Sequence, residues 1–161
     1  MDKKLSIAYV DEINALKKVV LNWKSSDFFN QSEKKRDKDW SLLDGKVNSL
    51  CEKYAWAVPD ERALRIISYF SPIVEMGAGK GYWASLLRNR GVDIIAFDKY
   101  IDLDSCFTPV ERGGPEEIAR KKKTLKGRTL FLCYPDEAQV LQMFITKSML
   151  TDENSTNFTL K

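Results

Sequence analysis

The run from Ile73 to Asp98 constrains this chain more than any other part of it. Ile73-Val74 lead into Glu75-Met76, and Gly77, Gly79 and Gly81 follow at alternate positions. An apolar start followed at once by glycines predicts a short buried strand that ends in a tight turn. Glycine lacks Cβ and tolerates positive φ, so the backbone of such a turn can approach a ligand closely. A helix is predicted from about Gly81 to Asn89, with its N-terminal amides facing that ligand. Gly91 stops it, after the basic residues Arg88 and Arg90. Val92 to Phe97, interrupted only by Asp93, then reads as a second buried parallel strand. It delivers Asp98 to the carboxyl edge of a sheet, where open α/β folds bind ligands.

An acid at that position can accept hydrogen bonds from a ribose diol, but dinucleotide enzymes use the same device. The glycine spacing discriminates further. A dinucleotide fingerprint needs G-x-G-x-x-G, whereas here the third glycine comes one residue early and Tyr82 follows it. No stretch has the G-x-x-x-x-G-K-[ST] pattern, so a P-loop is not indicated despite Lys80.

The segment Glu75-Met76-Gly77-Ala78-Gly79-Lys80-Gly81 resembles the first motif, E/D-x-G-x-G-x-G, of the class I S-adenosylmethionine-dependent methyltransferases. The resemblance implies a Rossmann-like α/β fold and S-adenosyl-L-methionine as cofactor. It assigns Gly77, Ala78, Gly79 and Gly81 to the loop that passes the methionine part of the cofactor. Asp98 would hold the ribose hydroxyls, and Glu75 would help orient the amino group, often through water.

Thr129 to Tyr134 is a strong strand candidate whose position matches the fourth strand of that family. The resemblance carries Cys133 over to the cofactor side of the site, and Tyr134 and Asp136 to the reaction side. Enzymes that methylate exocyclic amines show D/N-P-P-Y there. Cys133-Tyr134-Pro135-Asp136 keeps only one proline and replaces the amide or acid with cysteine, which argues against an amino acceptor. The plain alternative makes Tyr134-Pro135 a strand end and Cys133 a small buried hydrophobe.

Before the glycine run, Ile13, Leu16, Val19, Val20 and Trp23 recur at helical spacing, and so do Trp40, Leu43, Val47, Leu50 and Tyr54. Asn30 to Asp39 reads equally as a loop or an exposed helix. A further helix is predicted from Asp60 to Tyr69, opened by Pro59 and closed before Pro72. By resemblance Tyr54 and Trp56 are candidates for the rim of a cofactor pocket, against the alternative of a core role for Trp56. After Asp98, residues 100 to 108 read as an irregular loop, Phe107 to Val110 as a weak third strand, and Glu111 to Gly114 as a turn. A helix opened by Pro115-Glu116-Glu117 ends at Gly127, and its basic end from Arg120 to Lys123 suits its carboxyl pole. Glu137 to Leu150 is predicted to be a helix with a broad apolar face.

The expected organisation is an N-terminal helical extension over residues 1–53, a methyltransferase-like domain over 54–150 and a polar tail over 151–161. By resemblance the full sheet runs 3-2-1-4-5-7-6 with its last strand antiparallel. The chain ends after the helix leading to the fifth strand, so the fold is expected to be incomplete at its C-terminus. The fourth strand is then an apolar edge, open to a second copy or a partner.

Composition narrows the chemistry. The chain of 161 residues has no histidine, which removes the usual near-neutral base and the usual metal ligand. Cys51, Cys106 and Cys133 are isolated, so no metal site is expected and a reducing, cytoplasmic setting is. No apolar run suggests a membrane span. A net charge of +3 is small, and the basic runs at Lys34–Lys38 and Arg120–Lys123 read first as solvated helix faces, with nucleic acid the less favoured partner. In-line methyl transfer needs neither histidine nor metal. The expected function is a methyltransferase of unknown acceptor, with a non-catalytic binding or scaffolding domain as the alternative.

Overall fold

The computed structural model describes residues 7–21 and 30–134. Asp136, the helix expected over Glu137 to Leu150 and the polar tail lie outside the described residues. The chain forms two compact units, Met1–Ala63 and Leu64–Lys161. That division falls later in the chain than the expected boundary at 53/54.

In the first unit, α1 spans Ala8–Leu21 and α2 spans Glu33–Lys53. The stretch that read equally as loop or helix therefore divides: Asn30 to Ser32 precede α2, and Glu33 to Asp39 form its first turns. The two helices are joined near the end of α2. Tyr9 stacks on Tyr54 with ring centroids 4.8 Å apart, and its hydroxyl lies 3.5 Å from Cys51 Sγ. Glu12 accepts hydrogen bonds from Lys53 Nζ at 2.7 Å and Tyr54 Oη at 2.6 Å. Those bonds hold the Glu12 carboxyl below its ordinary value. Tyr54 is thus committed to the helix pair. Trp56 is 59% exposed, so the core role expected for it is not observed. Helix α3, Glu61–Ser68, starts where Asp60 Oδ1 accepts the Ala63 amide at 2.7 Å, an N-cap contact.

The second unit is built on strands β1 (Ile73–Met76), β2 (Ile94–Asp98), β3 (Glu111–Arg112) and β4 (Thr129–Leu132). They make an all-parallel sheet in the order β3-β2-β1-β4. The third strand lies just beyond Phe107 to Val110, in the segment expected to turn. Its ladder to Phe97 and Asp98 is made by backbone, so the exposed, charged side chains of Glu111 and Arg112 gave no apolar signal. Among the described residues, β4 pairs only with β1 and so forms an edge.

Helix α4 (Tyr82–Arg88) connects β1 to β2, and α5 (Pro115–Arg120) and α6 (Lys122–Leu125) lead from β3 to β4. One helix was expected where α5 and α6 stand; the break falls at Lys121, which pairs with Glu111. Strand side chains alternate between faces, and this sorts the core into two layers. Val74, Met76 and Phe97 bury one face against Ile118 of α5 and Leu125 of α6. On the opposite face, Phe131 meets Trp83 of α4 with centroids 5.7 Å apart. Helices thus cover both faces, as a parallel sheet requires. Among the described residues no helix is long and apolar enough to cross a membrane.

Candidate functional site

Because β2 and β3 lie on one side of β1 and β4 on the other, the chain changes direction between β1 and β4. Open α/β sheets hold ligands beyond the carboxyl ends of strands at such a point. The glycine turn leaves β1 there, Asp98 ends β2, and Cys133-Tyr134 leave β4.

Phe97 O accepts the amides of Gly77 at 2.9 Å and Ala78 at 3.0 Å, folding the turn back over the end of β2. Asp98 then joins the two loops. Its Oδ2 accepts the Gly79 amide at 2.7 Å, and its Oδ1 accepts the Tyr100 amide at 2.8 Å. The acid and the glycine turn, 19 residues apart in sequence, are in direct contact.

The last two glycines of the run have different uses. At Gly79, with φ of 53°, an added Cβ would meet nothing within 4 Å. At Gly81, with φ of 73°, it would lie 2.6 Å from Val110 Cγ2 and 3.1 Å from Thr108 Cγ2. Gly79 borders open space, whereas Gly81 makes room for the segment entering β3. Gly81→Ala combines left-handed backbone strain with overpacking of a buried valine, and should cost about 2 kcal/mol. Gly79→Ala should cost only the backbone term, about 1 kcal/mol. Thermal unfolding of the pair checks the order; equal losses would remove the packing role of Gly81.

Glu75 sits on the α4 face of the sheet, with Ala96 and Phe131 as its register partners. It is 1% exposed, and its Oε2 has no hydrogen-bond partner among the described residues. Burial pushes the carboxyl up to about 8; Arg88 opposes the rise and Asp98 adds to it. Cys133, half-buried beyond β4, has its thiol pushed up to about 12 by burial and by Glu75. It therefore stays a thiol at neutral pH and is a poor nucleophile. Tyr134 is 70% exposed and has φ of 56°, a left-handed conformation uncommon outside glycine. No group of three or more potential metal ligands gathers among the described residues.

Of the predicted residues, Glu75 lies one place before the carboxyl end of β1 and Asp98 ends β2, while Gly77, Ala78, Gly79 and Gly81 follow β1 and Cys133 and Tyr134 follow β4. One contributor was not foreseen. Arg88 donates to Ile94 O, to Thr108 Oγ1 at 2.6 Å and to Pro109 O at 2.7 Å, locking α4 to β2 and to the segment before β3. In sequence it is only a basic residue at a helix end, the common place for one. Set against protein-family models, curated proteins and solved structures, the chain matches none.

Proposed function

We propose that the carboxyl edge of β1, β2 and β4 binds S-adenosyl-L-methionine and that the chain is a methyltransferase for an acceptor yet to be identified. The supporting observation is the 2.7 Å bond from the Gly79 amide to Asp98 Oδ2, which joins a tight glycine turn to an acid at the switch point. Three features fit the cofactor. Gly79 leaves the turn open, Asp98 retains unused lone pairs for a diol, and Glu75 offers an unpartnered carboxyl oxygen behind the turn.

The bound cofactor would supply an electrophilic methyl group. The chain's own contribution is alignment, since displacement at carbon needs the nucleophile in line at about 3–3.5 Å. Tyr134 suits that task. Its left-handed backbone costs on the order of 1 kcal/mol, and the exposed residue stands two places beyond the end of β4. Asp136 completes the proposed reaction side as a proton acceptor but lies outside the described residues.

A domain that binds without catalysis is the second reading. It is favoured by Asp98 itself, because capping the Gly79 and Tyr100 amides is a structural task that needs no cofactor. Calorimetric titration separates the two. Wild-type protein should bind S-adenosylmethionine and S-adenosylhomocysteine saturably and NAD not at all. Asp98→Ala should weaken both by about 100-fold, equivalent to about 3 kcal/mol. Asp98→Asn keeps an acceptor for the Gly79 amide and tells loss of the ligand contact from collapse of the turn. A folded wild-type protein that binds neither compound would leave the non-catalytic reading.

A further inference from the structure

Glu75 is the one buried charged or polar side chain among the described core residues, and its Oε2 has no partner among the described residues. Its surroundings explain what state it takes. Among the described residues, the charged and titratable groups that act on it are Arg88 on α4, Asp98 at the end of β2 and Cys133 beyond β4. Arg88 is the only cation of the three, and its guanidinium is spent on Ile94 O, Thr108 Oγ1 and Pro109 O. Asp98 is a second acid, and Cys133 carries a thiol that remains protonated. A carboxylate enclosed in this way would be a desolvated anion beside another acid, which is costly; the neutral acid is not.

The open space beside Gly79 lies at the end of the strand that carries Glu75. A cationic group seated there would reverse the balance, because an opposite charge at close range in a buried setting favours the ionised carboxyl. We propose that Glu75 is a proton-exchanging positioning residue, protonated in the free protein and ionised when the cationic end of a ligand is seated beside the glycine turn. The inference rests on the reading of this edge as a cofactor site, and it adds a linked proton to that reading. In the step, the Glu75 O–H bond breaks and the proton passes to solvent. The carboxylate keeps the electron pair and holds the ligand's ammonium group. No oxidant, metal or further reactant takes part.

S-adenosylhomocysteine, which carries an ammonium group but no transferable methyl, is the probe. Calorimetry at pH 7 in buffers of differing ionisation enthalpy should show release of about one proton per site in wild type. Glu75→Gln, which mimics the neutral carboxyl in shape, should bind with no release. Wild-type affinity should rise about tenfold from pH 6 to pH 7, whereas that of Glu75→Gln should stay level. Binding with the same proton count in both proteins would overturn the inference and leave the cofactor reading standing. Infrared difference spectra of the ligand-free proteins give an independent readout. A protonated carboxyl band at pH 7 present in wild type and missing from Glu75→Gln supports the proposal. If that band is missing from wild type the proposal fails, whatever the ligand does. If no binding occurs at any pH, the cofactor reading and this inference fall together.

Discussion

Glu75→Gln is expected to be more stable than wild type at pH 8 and close to it at pH 4. The ordinary value of the carboxyl is 4.5, and in the folded protein burial raises it to about 8. Between those values the folded chain holds a proton that the unfolded chain has released. Wild-type stability from this group is therefore complete below pH 4.5 and is lost as pH rises toward 8. The slope is about 1.4 kcal/mol per pH unit, or roughly 4 kcal/mol between pH 5 and pH 8. Other carboxylates impose their own slopes on both proteins, so the difference between the two isolates Glu75. Urea midpoints at four pH values would measure it. Parallel curves would mean that Glu75 is ionised and solvated in the free protein, contrary to its burial.

Arg88→Met should lower stability by about 2–4 kcal/mol, since it leaves two backbone carbonyls and one hydroxyl without their charged donor. Methionine fills much of the same volume, so the loss reports hydrogen bonding more than packing. Arg88 also opposes the raised value at Glu75. The variant should therefore hold the Glu75 proton to higher pH, and its divergence from the Glu75→Gln, Arg88→Met double variant should begin at the same pH, set by the unfolded chain, but continue to higher pH. Chemical denaturation gives the first quantity and its pH series the second. A loss below about 0.5 kcal/mol would make Arg88 an ordinary surface residue.

The two effects meet at one place. Arg88 ties α4 to the start of β2 and to the segment that Gly81 accommodates, while α4 closes the face on which Glu75 is buried. The helix after the glycine turn thus connects the stability of the sheet to the protonation of its central carboxyl.

Much of this architecture is legible in local sequence. Ile73–Met76 and Ile94–Asp98 are strands because short apolar runs bounded by glycine have few other stable uses. The helix between them ends at Gly91 as its spacing predicts, with the Val92 amide bonded back to Leu87 O at 3.1 Å. Thr129–Leu132 follows the same logic. The position of Asp98 at a strand end is likewise a matter of counting along the chain. Strand β3 escaped that reasoning because its pairing is carried by backbone atoms and its two side chains are exposed charges. What only the tertiary structure decided was the company each polar group keeps. Glu75 Oε2 has no partner among the described residues, because β2, β4 and α4 enclose the side chain while Arg88 is engaged elsewhere, and Gly81 is small because Val110 comes from a distant segment. Periodicity records which face of an element is buried. The cost of burying a charge depends on neighbours that the chain brings together only by folding.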